Sequence, residues 1–330
     1  MATSINWTTP AEGGYMYADE LSDYLRVALQ SMTKFRQFAE ADEGAIDKGL
    51  HAGATYTWNI YGDVATQGRQ LVETSPMPET SFTVAQSSLT VTEYGNSVPM
   101  TQKVTALARH DVEKIIDKAL KNDARKAFDI GAWEQFDACK LRAAAETSTT
   151  SVVLTTNAST ATTNNVAMGT GHVKAIVDTM QERDIPGYFE DDYICLSHPT
   201  TLRGFKNELE TINQYTEMGM RKIANGEVGR YEGTRFVHQN FIPKGGAIDS
   251  TTFDPYTKTA DAWNNAKSSW AFFFGGDTVN EAIVIPEEIR AKLPGDFGRS
   301  KGLAWYYLGG FGIVHDVAAQ SRIVKWDSAA

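Results

Sequence analysis

The sequence has few of the residues on which reactive sites and membrane spans depend. Only two cysteines occur in 330 residues, Cys139 and Cys195, and neither has a Cys or His partner at a metal-binding spacing. We expect both thiols to be reduced and buried, as in a protein assembled in cytoplasm. The longest apolar runs, at 270–274 and 282–285, are far too short to cross a bilayer. The first residues lack the basic and apolar regions of a secretory signal, so we expect no membrane association.

Catalytic signatures are equally scarce. Six histidines are scattered without an HExxH pattern, and no complete dinucleotide fingerprint, phosphate-binding loop or GxSxG elbow occurs. We therefore expect no catalytic residue, no cofactor site and no metal site. One alternative stays open, since catalytic groups can converge from distant loops: an α+β enzyme with a site near His198, Asp191 and Asp192.

The overall charge argues against a protein that wraps nucleic acid. The net charge is −10, whereas tight phosphate binding depends on clustered Lys and Arg. An apolar fraction of 42% and a charged fraction of 22% are typical of a folded protein with a substantial core.

A region without lysine precedes the middle of the chain. Between Lys48 and Lys103 the only cation is Arg69. Apolar residues alternate there with polar ones, which predicts two strands joined by a polar tip at residues 62–80. The alternating side chains are Tyr56, Trp58, Ile60, Phe82 and Val84. The phase changes at Leu89 and Val91, so we expect a bulge near residues 86–88. A two-stranded arm of this length needs packing partners.

An apolar stripe at helical spacing lies in the N-terminal segment. Asp19 can cap a helix there, and Phe35, Phe38 and Ala39 continue its apolar face until about Asp42. The stripe begins with Leu21, Tyr24 and Leu25. It can pack on its own domain or equally on another subunit.

The chain is organised around a long amphipathic helix expected at residues 110–145. Apolar residues recur on one face, and the opposite face carries Lys114, Lys118, Lys121 and Arg125. The helix is either an ordinary core helix or a strut in a shell subunit. Strand-like residues 98–108 lead into it, and a Thr/Ser/Asn-rich zone follows it with one short strand at 152–155. Beyond that zone helices and strands occur without strict alternation, which favours an α+β fold.

Several stretches together resemble tailed-phage major capsid proteins of the HK97 fold, nearest the group called the N4 gp56-like major capsid proteins. They are Glu93-Tyr94-Gly95-Asn96-Ser97-Val98, Tyr231-Glu232-Gly233-Thr234-Arg235, Asn240-Phe241-Ile242-Pro243, Leu303-Ala304-Trp305-Tyr306-Tyr307 and Arg322-Ile323-Val324. With the two arms and the long helix, the resemblance covers nearly the whole chain.

This resemblance implies a division of the chain. Residues 1–50 would form the N-terminal arm and 51–98 the extended hairpin called the E-loop. Residues 99–145 would belong to the P-domain, with its spine helix at 110–145. Residues 146–285 would form mainly the A-domain, and 286–330 would return to the P-domain.

It also implies a virion structural protein without enzymatic activity. Copies would form pentamers and hexamers of an icosahedral head that encloses double-stranded DNA, assembled in the bacterial host cytoplasm. We expect a separate scaffolding protein, a portal protein at one vertex and a decoration protein as partners. Because the E-loop has no lysine, we expect no E-loop crosslink and a noncovalent shell. An encapsulin-like compartment shell stays open as an alternative.

We expect contacts between subunits at the two arms and on the charged face of the helix. The candidates are Leu21, Tyr24, Leu25, Phe35, Phe38, Tyr56, Trp58, Ile60, Arg69, Phe82, Val84, Lys114, Lys118, Lys121 and Arg125.

Overall fold

A computed structural model describes most of the chain. It covers residues 33–42, 55–64, 68, 70–145, 151–158, 166–199, 201–213, 230–239, 242 and 268–329. The helices are α1 (Gln102–Leu107), α2 (Val112–Asp137), α3 (Thr170–Glu182) and α4 (Leu202–Asn213). The first strands are β1 (Glu40–Asp42), β2 (Thr55–Tyr61), β3 (Val84–Thr90), β4 (Thr92–Thr101), β5 (Leu141–Ala145), β6 (Val152–Thr155) and β7 (Tyr193–Ser197). The others are β8 (Arg230–Tyr231), β9 (Thr234–His238), β10 (Ser268–Phe274), β11 (Val279–Ala291), β12 (Ser300–Ile313) and β13 (Ile323–Ala329).

A seven-stranded sheet lies between two layers of helix. Its strand order is β6-β5-β13-β10-β7-β9-β8. Strand β10 has apolar side chains on both faces, which is why its sequence is a continuous apolar run. Phe272 and Phe274 pack in the cluster that contains α2, whereas Phe273 packs in the cluster that contains α3 and α4.

A four-stranded sheet of order β1-β11-β12-β4 packs on the other side of α2. The ring of Phe128 in α2 lies 4.6 Å from that of Tyr307 and 5.5 Å from that of Trp305, both in β12. The long helix therefore contacts both sheets and joins them in one core. Strands β2 and β3 pair only with each other and form the separate two-stranded arm.

The long helix is confirmed, but it is shorter than expected. The Asp111 side chain caps it by accepting hydrogen bonds from the N–H groups of Glu113 and Lys114, at 3.1 and 3.3 Å. The helix ends at Asp137, so its 26 residues span about 39 Å. The expectation that it continues to residue 145 is wrong, because residues 141–145 pair with β13 and with β6. Pairing with two strands and burial of Leu141 outweigh the helix preference of the three alanines.

Two other local expectations are corrected. Residues 102–107, expected to be strand-like, form α1, because the Thr101 side chain accepts a hydrogen bond from the N–H of Val104. Residues 36–38 form one turn of 3₁₀-helix and then enter β1, so the apolar face at Phe35 and Phe38 does not continue as α-helix.

The arm has no bulge at residues 86–88. Its seven residue pairs run without a register shift from Thr55 opposite Thr90 to Tyr61 opposite Val84. The apolar residues of this stretch change phase because they lie on opposite faces of a regular strand. Leu89 faces inward, while Val84 and Phe82 face outward.

The strands on either side of residue 146 share one sheet. Strand β5 lies before that position, β6 lies after it, and β13 from the C-terminal region pairs with β5. Strands β11 and β12 pair instead with β1 and β4. The chain therefore crosses between the two sheets more than once, and the expected domain division stays a prediction.

Candidate assembly surfaces

The base of the arm rests on β12, where glycines replace side chains. The Trp58 indole N–H donates a hydrogen bond to the carbonyl oxygen of Val314, at 3.2 Å. Leu89 and Trp58 lie directly over Gly312, where a Cβ would come within 2.7 Å of Leu89 Cβ and 3.0 Å of the indole ring. At Gly310 a Cβ would come within 2.6 Å of the Thr90 carbonyl oxygen. The glycines therefore allow the arm to approach β12 more closely than any side chain would permit.

The sequence Gly309-Gly310-Phe311-Gly312 predicts a bend or bulge, and the strand pairing is irregular at this point. Ile283 pairs with Gly309, but the next pair joins Ile285 to Leu308, so β11 carries one extra residue. The bulge lies in the strand that faces the glycines.

The N-terminal segment is held against α2 by a buried carboxylate. Asp129 Oδ1 accepts hydrogen bonds from the N–H groups of Phe35 at 2.7 Å and Arg36 at 3.3 Å. Its Oδ2 accepts one from the Gln239 amide at 2.8 Å. Burial raises the pKa of Asp129 to about 6, although these hydrogen bonds oppose the shift.

Arg36 fixes the same segment to the four-stranded sheet. Its guanidinium lies 2.8 Å from the buried Glu281 carboxylate and 4.3 Å from the centre of the Phe128 ring. The Tyr307 hydroxyl donates a 2.8 Å hydrogen bond to Glu281. The ion pair therefore links the N-terminal segment to β11, and the contact with the Phe128 ring links it to the long helix.

The residues of the enzyme alternative are not brought together. Asp192 and His198 lie at opposite ends of β7, roughly 20 Å apart for a strand of this length. Asp192 is buried between two arginines, with its carboxylate oxygens 2.5 Å from Arg230 and 2.9 Å from Arg235. A groove of about 640 Å³ lies elsewhere, between β3 and the end of α2. The burial of the Asp192 carboxylate is thus explained by its ion pairs with Arg230 and Arg235.

The described residues offer neither a cluster of metal-binding side chains nor a membrane-spanning helix. No group of three His, Cys, Asp or Glu side chains there could hold a metal ion. No described helix is both long enough and apolar enough to cross a membrane.

Comparison with known proteins identifies the family. The family model described as "Phage capsid protein" matches residues 84–321, well over half of the chain. The chain belongs to this phage capsid protein family. It is a structural major capsid protein of a phage head, and the family is not enzymatic. Its copies assemble with one another into a shell, and its place is the virion capsid.

Solved capsids show the same HK97-like fold. This chain resembles the capsid protein of Helicobacter pylori bacteriophage KHP30 with a TM-score of 0.67, at 11% identity over 100% of each chain. For cyanophage Pam1 the TM-score is 0.65, at 13% identity over 95% of this chain and 96% of that one. For Ralstonia phage GP4 it is 0.64, at 14% identity over 100% of this chain and 98% of that one. No curated protein matches the chain.

In the capsid protein, the arm candidates divide between two faces. Ile60 is buried, and Tyr56 and Trp58 are half-buried against the rest of the subunit. Phe82 and Val84 lie on the outer face and are more than half exposed. These two therefore present apolar area to the exterior, whereas the first three seat the arm on its own subunit.

Sequence reasoning missed Tyr61, which belongs to the same outer face. Its side chain is 69% exposed, its ring centroid lies 6.5 Å from that of Phe82, and its Cα pairs across the arm with Val84. The sequence feature that could have indicated it is the adjacent pair Ile60-Tyr61, because neighbouring residues of a strand point to opposite faces and both of these carry large apolar side chains.

The N-terminal candidates have separate outcomes. Phe35 is fully buried among Phe136 and Phe272, so its expected role as a contact between subunits is corrected to core packing. Phe38 is half-buried against Tyr188 and Phe274. The remaining candidates of the two arms, Leu21, Tyr24, Leu25 and Arg69, lie outside the described residues.

The candidates on the long helix form a basic stripe on its exposed face. The stripe consists of Lys114, Lys118, Lys121 and Arg125. Lys114 lies 3.4 Å from Asp111, and Lys121 lies 2.8 Å from Asp117. Within the part of the chain that the structure describes, the other two form no ion pair. Exposed pairs of this kind add little stability, so the stripe remains available to another molecule.

A second exposed extension was not expected from the sequence. Strands β11 and β12 continue beyond the core as a hairpin whose tip bears Leu293, 87% exposed, and Phe297, fully exposed. Asp296, Phe297 and Gly298 all have positive φ angles of 49°, 53° and 90°. A bulky aromatic residue rarely adopts this conformation. The Pro294-Gly295 pair and the glycine after Phe297 are the turn signals that could have indicated it.

Proposed function

We propose that this capsid protein forms pentamers and hexamers that close an icosahedral shell around double-stranded DNA, held together without covalent bonds. The observation that carries the proposal is the outer face of the arm. Tyr61, Phe82 and Val84 expose large apolar area that no part of the described subunit covers. Such area is usually covered by another protein molecule. An arm of two strands also gains too few contacts within its own subunit to be stable alone.

We also propose the domain division of this fold for the chain. Residues 1–50 form the N-terminal arm, 51–98 the E-loop and 99–145 the P-domain. Residues 146–285 are mainly the A-domain, and 286–330 return to the P-domain. The separate two-stranded arm and the 26-residue helix support this division. Within the family, we assign the chain to the N4 gp56-like group.

In the shell, the arm of one subunit lies over the long helix of a neighbour. The basic stripe on α2 supports this placement, because it is exposed and the arm has a net negative charge. The other proposed partners are a separate scaffolding protein, a portal protein at one vertex and a decoration protein. The enclosed DNA is bound without sequence specificity, and assembly takes place in the bacterial host cytoplasm.

Purified particles test the proposal directly. Electron microscopy and native mass measurement should find closed shells with rings of five and six copies, containing double-stranded DNA when isolated from infected cells. Denaturing electrophoresis should resolve mature shells into a 36.3 kDa band without a ladder of crosslinked multiples. A subunit that stays monomeric in the presence of its scaffold would overturn the proposal. Particles filled with a cargo enzyme would identify a compartment shell instead.

A further inference from the structure

One end of the subunit carries an excess of positive charge. This basic end is defined as residues 99–110 and 289–301, which meet where β4 pairs with β12 and α1 begins. Its cations are Lys103, Arg109, Arg290, Lys292, Arg299 and Lys301. Asp296 is its single acid, so its net charge is +5, and the rest of a chain of net charge −10 carries −15. A polyanion is therefore attracted to this end and repelled by most of the subunit.

The backbone brings four of these cations to one surface. The N–H of Gln102, at the start of α1, donates a 2.9 Å hydrogen bond to the carbonyl oxygen of Arg299. The Lys292 ammonium lies 3.3 Å from the Ser300 hydroxyl, across the base of the hairpin that joins β11 to β12. The basic surface formed in this way consists of Lys103, Lys292, Arg299 and Lys301. It draws on both sides of the hairpin and on the adjoining helix.

The subunit itself neutralises this basic surface only weakly. Arg299 lies 3.6 Å from Asp296, but the two side chains are 81% and 61% exposed. Within the part of the chain that the structure describes, the three lysines of the surface form no ion pair. Arg290 is left out of the surface because its guanidinium lies 2.5 Å from the Glu288 carboxylate. An exposed pair such as that of Arg299 is weak, so the four cations remain able to bind an anion.

The hairpin projects past the edge of the sheet and exposes apolar side chains between these cations. Strand β4 pairs with β12 only as far as Ser300, and a bridge from Ser300 to Gly295 continues the hairpin as a ribbon of two strands. At its tip Phe297 is fully exposed with a φ of 53°, and Leu293 is 87% exposed. A strained backbone that holds an aromatic ring in water is expected where a site requires it.

We propose that the hairpin tip and the four cations of the basic surface bind the enclosed double-stranded DNA. This inference rests on the proposed function and names the surface that touches the DNA. The major groove of B-DNA is about 12 Å wide and admits a two-stranded ribbon. Phe297 then enters the groove, while Lys292 on one side of the hairpin and Arg299 and Lys301 on the other contact phosphates. Phosphate contacts carry no sequence information, so the binding has no sequence specificity.

The salt dependence of DNA binding tests the surface. For the unassembled full-length subunit and a short labelled duplex, the logarithm of the binding constant should fall with that of the salt concentration at a slope of about −3.6, which is four contacts at about −0.9 each. The triple variant Lys292→Gln, Arg299→Gln and Lys301→Gln should have a slope of about −0.9 and bind about a hundredfold more weakly at about 0.1 M salt. Phe297→Ser should weaken binding about fivefold with the slope unchanged, because it removes no charge.

The matched control removes the same charge from the long helix. The triple variant Lys114→Gln, Lys118→Gln and Lys121→Gln should change the slope by less than about 0.5. An equal loss in both triple variants would overturn the proposal, because the duplex would then respond to total charge alone. A polyglutamate peptide that displaces the labelled duplex as well as unlabelled duplex does would also overturn it, and would identify an acidic protein as the occupant.

Filled particles from infected cells test the same contact within the shell. Ultraviolet crosslinking and tryptic digestion should attach nucleotides to the peptide of residues 293–299, which contains Phe297. Crosslinks confined to other peptides would overturn the inference while the enclosure of DNA stands. Particles that contain no DNA would instead contradict the proposed function.

Discussion

The carboxylate of Asp129 accepts a 2.7 Å hydrogen bond from the backbone N–H of Phe35, 94 residues earlier in the chain. This bond fixes the point at which the N-terminal segment enters the core, between the long helix and the seven-stranded sheet. Because the carboxylate is buried and its hydrogen bonds within the described chain come from neutral N–H groups, its charge is costly, and its pKa is raised to about 6.

Asp129→Asn should change how stability depends on pH. Native Asp129 binds a proton below about pH 6, whereas the same group in the unfolded chain binds one only below about 3.8. The contribution of this group is therefore fully present below pH 3.8 and is lost as pH rises through 6, by roughly 3 kcal/mol. Urea unfolding of the unassembled subunit between pH 4 and 7 should show that wild type loses stability relative to the variant over this range. Asp117→Asn, on the exposed part of the same helix, is the control; parallel curves for wild type and Asp129→Asn would contradict the prediction.

The buried pair of Lys325 and Asp137 should respond unequally to loss of either partner. Lys325 has no exposed side-chain area and lies 3.3 Å from the centre of the Trp270 ring, while Asp137 remains 29% exposed. Burial lowers the pKa of Lys325. Asp137→Ala leaves a buried ammonium without its counter-charge, and we expect a loss of roughly 3 kcal/mol. Lys325→Met leaves a carboxylate that water can reach and should cost about half as much or less. Equal losses in chemical unfolding would show that Asp137 is as poorly hydrated as Lys325.

Gly312→Val should lift the arm from β12. A side chain at this position would overlap Leu89 and Trp58, and overpacking of this kind costs roughly 1–3 kcal/mol. Amide hydrogen exchange in β2 and β3 should accelerate about tenfold while exchange in α2 stays unchanged. Gly68→Ala is the matched control, since a Cβ there meets nothing within 4 Å. Unchanged exchange in the arm of the valine variant would mean that the arm is not held by this contact.

Removal of residues 62–80 should separate folding from assembly. Tyr61 and Val84 remain paired, and residues 81–83 are long enough to close the shortened hairpin. We expect the melting temperature of the subunit to shift by no more than about 4 °C, because the described residues of the deleted segment lie outside the core. Shell formation, followed by light scattering, should be lost.

A replacement of residues 62–80 by a Gly/Ser loop of equal length distinguishes chemistry from length. If this variant assembles normally, the apolar and acidic side chains of the tip have no role. Loss of subunit folding in the deletion variant would show instead that the tip belongs to the core.

The sequence by itself determined the elements whose pattern is local. The periodicity within residues 110–145 predicted a long helix, which occupies Val112–Asp137, and the alternation at Tyr56, Trp58 and Ile60 predicted the arm. These patterns reflect which side chains must leave water, a requirement that neighbouring residues already express.

Only the tertiary structure decided where that pattern gives way to long-range pairing. Residues 141–145 are alanine-rich but form a strand, because they pair with β13, where Leu141 lies opposite Val324, 183 residues later in the chain. Contacts with Phe136 and Phe272 place Phe35 in the core of its own subunit. The pairing of Tyr61 with Val84 places the Tyr61 side chain on the outer face of the arm. Burial and strand register depend on which distant segments pack together. The periodicity of a local stretch contains no information about those long-range contacts.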